Sequence, residues 1–283
     1  MNVKIVTDSG CDLSMNYYNE FDIEMIPLTV HLDGAQYQDG KTIEPQQVYQ
    51  AMKDGKSPKT SQVSLQAFHD VFLTYAKLNQ PLLYIAFSSG LSGTYQTAKM
   101  AEQDVKETYP NAALHVLDTK CASLGQGLVV LHAAKLAKSG ASLDAIIKET
   151  SEHAARMEHI FTVDDLEYLY RGGRVSRTAA FMGSLLNIKP LLHVEDGKLI
   201  PLEKIRGRKK VLKRMIEVME MRGVNLEQQT VGISHGNDPQ RAEQLASLMK
   251  ERFHVKHVEI EMTGAVIGAH SGPGTLAIFF LNQ

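Results

Sequence analysis

Two joined α/β units are predicted: an N-terminal domain on a parallel sheet over residues 1–157 and a C-terminal α+β domain over residues 158–283, sharing a cleft. Three observations predict them. In the first half, short apolar runs alternate with helix-period segments. The texture changes after the helical pattern at Leu143–Ala155. Beyond it, Asp196-Gly197 lies between two apolar runs, a hairpin signal.

In order, Val3–Thr7 reads as the first strand. Leu82–Phe87 is the next, followed by a helix from about Thr94, then His115–Leu117 followed by a helix from about Leu124. Between the first two strands lies a polar excursion with turn signals at Asp33-Gly34 and Asp39-Gly40 and helices near Pro45–Lys53 and Leu65–Leu78. In the second half, Leu191–Val194 and Leu199–Leu202 flank the hairpin turn. A helix near Lys209–Met221, a strand Thr230–Ser234, a helix Pro239–Arg252, a strand Val258–Met262 and a last strand Ala277–Leu281 complete the unit.

Composition excludes several function classes. With 30 basic and 32 acidic side chains the net charge is -2, so no global field draws a polyanion, and nucleic acid is not an expected partner. Only Cys11 and Cys121 are present, too few for a disulfide framework, and Cys11 is read as packing. The chain runs directly into its first strand without a basic-then-apolar leader and holds no long apolar run, so a soluble cytoplasmic protein without transmembrane segment is expected. There is no Gly-Lys-Ser/Thr phosphate loop, no His-Glu-x-x-His and no histidine pair at metal-ligand spacing, so neither metal nor cofactor is expected.

Four loops carry candidate chemistry. Phe87–Thr94, with Ser88, Ser89, Gly90, Ser92 and Gly93, follows a strand and opens a helix, where unpaired amides and the macrodipole favour an anionic oxygen. The bland alternative is a helix cap and a shaped turn. Lys59-Thr60-Ser61-Gln62 offers hydroxyl donors for a carboxylate, or is an ordinary capping loop. Gly264–Gly274 is a glycine-rich approach to the last strand with His270 among small residues. Its Gly272, Gly274 and Ala277 satisfy a dinucleotide fingerprint by spacing but open no βαβ unit. The basic loop Tyr170–Arg177, with Arg171, Arg174 and Arg177, and the later Lys204, Arg206, Arg208, Lys209 and Lys210 read either as a solvated face or as a dock for a phosphate-bearing partner.

Taken together, Val6–Gly10, Thr60–Gln62, Ser88–Gln96, Leu169–Arg174, Lys189-Pro190 and Gly268–Gly272 resemble the DegV family, in order and spacing across the whole chain. The chain departs from the common pattern at Val63 and Cys11. The resemblance implies an N-terminal α/β and a C-terminal α+β domain with a fatty acid, such as palmitate, buried between and within them. It implies that Thr60 and Ser92 hydrogen-bond the carboxylate and that His270 and Arg206 belong to the surrounding polar network, with Ser61, Gly93 and Arg174 as weaker carry-overs. The family includes FakB-type carriers, which are not themselves enzymes. The resemblance further implies that a separate ATP-dependent fatty acid kinase phosphorylates the bound carboxylate and that the acyl phosphate feeds phospholipid synthesis. Each buried methylene contributes about 0.8 kcal/mol, so a chain of roughly fourteen gains on the order of 11 kcal/mol before ordering costs. The alternative expectation is a lipid ester or thioester hydrolase using Ser92 with His270, although Thr94 stands where the nucleophile elbow wants glycine.

Overall fold

The computed structural model describes residues 2–176 and 188–283, so Arg177 of the basic loop lies outside the described residues. Strand β1 (Lys4–Asp8) is buried along its whole length. After α1 (Met15–Phe21), β2 (Glu24–Ile26) pairs with β1 in parallel. The chain then leaves this sheet through β3 (Thr29–Leu32), β4 (Ala35–Gln38) and α2 (Pro45–Lys53). Proline at the first turn of α2 and reciprocal bonds between Glu44 and Gln47 fix its start. β5 (Lys59–Ser61) joins β3 and β4 in a small antiparallel sheet of order β4-β3-β5.

The parallel sheet resumes after α3 (Leu65–Lys77), whose N-cap Ser64 accepts the Ala67 amide at 3.2 Å. β6 (Leu82–Ala86), α4 (Thr94–Thr108) and β7 (Leu114–Asp118) complete the order β2-β1-β6-β7. Helices α5 (Ser123–Lys138) and α6 (Leu143–Ala155) then lead to β8 (Met157–Thr162).

The second sheet is mixed. Past α7 (Glu167–Arg171), β9 (Ile188–Glu195) and β10 (Lys198–Arg206) form the predicted hairpin. Its turn residues Asp196 and Gly197 have φ of 46° and 74°, the left-handed pair that a two-residue hairpin demands. α8 (Arg208–Arg222), β11 (Thr230–His235), α9 (Pro239–Phe253), β12 (His257–Met262), α10 (Ala265–Ser271) and β13 (Leu276–Leu281) follow. The sheet order is β10-β9-β8-β13-β11-β12, in which only β11 and β12 run parallel.

The α/β class is as predicted, a parallel sheet followed by a mixed one. Four features differ in detail. The polar excursion holds a complete three-stranded sheet, hidden in sequence because its strands are short and only Val30 within them is buried. α1 and α7 are likewise single short helices without a sequence signature. β8 begins at the texture change and supplies a central strand. The glycine-rich segment contains a helix, α10, where an irregular approach to the last strand was expected.

Both sheets close on α5. Every residue from Ser123 to Leu131 is buried, so this helix lacks a polar face over its first half. One apolar core includes Ile5 and Leu83 of the first sheet, Val129 and Ala133 of α5, and Ala277 and Phe279 of the second. No helix among the described residues is long and apolar enough to cross a membrane.

Candidate functional site

A cavity lies between the face of the mixed sheet and α10. Alternate residues of adjacent strands form one wall: His159 and Phe161 of β8, Val194 of β9, and Ala277 and Phe279 of β13. α10 and the residue pair before it form the facing wall through Thr263, Val266, Ile267, His270 and Ser271. Val266, Ile267, His270 and Ser271 form one stripe of α10, and Thr263 continues the same spacing just before the helix begins. Counted with its mouth, the cavity encloses about 820 Å³ of empty space.

Thr60, at the middle of β5, meets His270 at one end of this space, with Oγ1 and Nε2 2.7 Å apart. Burial pushes the His270 imidazole down to about 4, and the positive charge of Arg174 pushes in the same direction. The ring is therefore neutral near pH 7. Arg174 is anchored by donating from Nε to the Leu91 carbonyl at 3.1 Å and from Nη1 to the Gly172 carbonyl at 2.5 Å. A Cβ at Gly172 would stand 2.2 Å from Nδ1 of His270, so glycine there admits the ring.

The Ser92 hydroxyl lines the cavity and lies 2.8 Å from that of Thr94. Gly93, not Ser92, is the N-cap of α4. A Cβ on Gly93 would meet Gln62 Oε1 at 2.1 Å, and Gln62 in turn donates to the Thr97 hydroxyl at 2.7 Å. Most amides of the Ser88–Thr94 loop bond within the loop or to Asp118, so they form no open cradle. The polar groups turned to the cavity are side chains instead.

Ser61 also lines the cavity, but its hydroxyl is engaged with His31 Nε2 at 2.6 Å. Arg206, at the end of β10, is exposed and stands outside the lining. Thr60, Ser92, His270, Ser61 and Arg174 are thus brought together and Arg206 is not. His270 is paired with Thr60 rather than Ser92, so the serine–histidine contact a hydrolase needs is not formed. Cys11 is fully buried against Tyr18, and burial pushes its thiol up to about 12, the opposite of a reactive thiolate.

A surface cleft abuts this end of the cavity. It is lined by Lys56, Lys59 and Arg171, and it shares Thr60, Arg174 and His270 with the interior. Those three side chains separate an apolar interior from a basic exterior.

Sequence reasoning missed what holds α10. Asp39 accepts the Ala265 and Val266 amides at 3.1 and 3.4 Å, and Asp12 accepts that of Gly264 at 3.0 Å. Burial pushes the Asp39 carboxyl up to about 6 and that of Asp12 well above the usual range. The stripe from Thr263 to Ser271 was the available signal, and it was obscured by the glycines around it. No group of three or more metal-ligating side chains occurs among the described residues.

A family profile described as "Uncharacterised protein, DegV family" matches residues 2–283. The chain belongs to the DegV family. A DegV domain-containing protein of Clostridium perfringens is 43% identical over 282 residues, covering 99% of this chain and 97% of that one. Among solved DegV structures, a fatty-acid-binding protein of Thermus thermophilus superimposes with a TM-score of 0.90 at 31% identity, covering 100% of both chains. DegV of Bacillus subtilis, a fatty acid binding protein, does so with 0.85 at 32%, again over 100% of both. A stearic-acid-binding protein of Eubacterium ventriosum gives 0.88 at 29%, covering 98% of each.

Proposed function

We propose that this DegV-family chain binds one long-chain fatty acid in the cavity between the mixed sheet and α10 and performs no catalysis on it. The observation that carries the reading is the Thr60–His270 pair, set where the apolar cavity meets the basic cleft. An ionised carboxylate leaving water needs several hydrogen-bond donors. In this reading Thr60 and Ser92 donate to the carboxylate, neutral His270 orients the Thr60 hydroxyl, and Arg174 balances the charge. Ser61 and Gly93 shape the surrounding loop. The fatty-acid binding of the Thermus, Bacillus and Eubacterium proteins supports the ligand class.

The finer proposal is a cytoplasmic carrier. Its ligand lies between a domain of residues 1–157 and one of residues 158–283, with the carboxylate turned to the basic cleft. There a separate ATP-dependent kinase forms an acyl phosphate for phospholipid synthesis. Arg206, exposed on β10, belongs in this proposal to the kinase-facing rim. Denaturing extraction and mass spectrometry of the purified protein test the ligand: a long-chain fatty acid is expected. Recovery of none, with no binding on reconstitution, overturns the reading. Arg206→Glu is expected to reduce phosphorylation by the kinase more than fatty-acid retention, and the reverse order would remove Arg206 from the rim.

A further inference from the structure

The wall that carries His270 on α10 carries Thr263 seven residues earlier, just before the helix begins and beyond Val266 and Ile267. Thr263 is 1% exposed and lines the cavity, and its hydroxyl has no hydrogen-bond partner among the described residues. Two further hydroxyls lining the cavity stand beside it. The Thr263 amide donates to the His235 carbonyl at 3.0 Å, which sets it next to Ser234. Ser234 Oγ is 2.9 Å from Ser123 Oγ, and Ser123 donates to Asp12 Oδ2 at 2.5 Å. With the Ser123 proton directed at Asp12, the Ser234 proton points to Ser123, and Ser234 turns lone pairs toward the cavity. Thr263 keeps a proton to give. A plain methylene chain passing here answers neither group, and an unanswered buried hydroxyl is costly.

Resting on the fatty-acid reading above, we infer that Thr263, Ser234 and Ser123 form a second polar subsite that recognises an oxygen substituent on the acyl chain. The ligands it selects are long-chain acids bearing a hydroxyl or keto group part-way along the chain, beyond the stretch that passes Val266 and Ile267. A hydroxyl accepts from Thr263 and donates to Ser234, and a keto oxygen accepts from Thr263 alone. The flanking Val266 and Ile267 keep the intervening wall apolar, so the subsite is separated from the head-group donors.

The test is titration of the full-length, delipidated protein with stearic acid and with stearic acid hydroxylated near mid-chain. The wild type is expected to bind the hydroxylated acid at least as tightly as stearic acid. Thr263→Val is expected to shift the ratio of the two affinities about tenfold against the hydroxylated acid, a shift of about 1.4 kcal/mol. Thr263→Ser is expected to leave that ratio near the wild-type value. Should the valine variant not fold, Ser234→Ala, which removes the accepting partner, is expected to move the ratio the same way. Wild-type binding of stearic acid with at least tenfold weaker binding of the hydroxylated acid overturns this inference alone, as does a ratio unmoved by either variant. Binding of neither acid overturns the fatty-acid reading together with it.

Discussion

At Gly172 the missing side chain is what gives His270 its place. Its backbone φ of -70° suits any residue, so Gly172→Ala acts only through the collision with Nδ1. The variant is expected to fold with unchanged circular dichroism yet bind fatty acid at least tenfold more weakly, because the ring leaves Thr60. Removing a donor directly acts on the same end. Thr60→Val or Ser92→Ala is expected to cost roughly 1–3 kcal/mol of binding by leaving a carboxylate oxygen unpaired. Calorimetry with palmitate reads both, and an unchanged affinity would remove that hydroxyl from the head-group site. Thr60, Ser92, His270 and Arg174 stood out because each lies in a sequence segment of distinctive composition, and the family resemblance implied their roles. Asp12 and Asp39 were not, since a lone acid carries no local pattern and its partners, the amides of residues 264–266, are far away in sequence.

The element on which the site depends most is α10, seven residues long and tied down at its N-terminus by two buried carboxyls. Their titration bears on stability with a definite sign. Asp39 rises from 3.8 to about 6, so the folded state holds its proton longer, and stability through this group falls as pH rises between those values. His153, His159 and His270 are all lowered from 6.5 to about 4, so their contribution is present above 6.5 and is lost as pH falls toward 4. The acid therefore offsets the histidines. Asp39→Asn, which keeps an oxygen for one amide, is expected to lose stability more steeply than the wild type between pH 6 and 4, by up to about 3 kcal/mol. Urea denaturation at several pH values measures it, and parallel profiles would refute it. Strong periodicity made the long helices α3, α4 and α9 readable in the sequence. α10 and the small antiparallel sheet escaped because glycine and short polar strands blur the period on which such readings rest.

Across the whole molecule, the two sheets share α5 as common core, with Val129 and Ala133 packed in the same cluster as Ile5 and Phe279. A fragment of residues 1–157 would present the Leu124–Leu131 surface of α5 to water without β8, β11 and β13 over it. It is expected to aggregate or to bind a hydrophobic dye strongly, whereas a soluble fragment with a cooperative thermal transition would show that the first sheet suffices. The alternation of strands and helices revealed both sheets in outline. It could not reveal that they share one helix, because burial on all sides leaves no amphipathic trace.

The hairpin tip has a consequence of its own. The Ser88 hydroxyl donates to the Gly197 carbonyl at 2.7 Å, and a Cβ on Gly90 would strike that same carbonyl at 2.5 Å. The mixed sheet thereby clasps the Ser88–Thr94 loop beside the parallel sheet through a close contact at the Gly197 carbonyl. The contact depends on a hydroxyl at position 88 and on glycine at position 90, so those two residues are tied to the hairpin tip. Under the function proposed above, the spacing between this loop and the acyl cavity can stay constant while the side chains lining that cavity change, so that one carboxylate grip is combined with acyl chains of different shape.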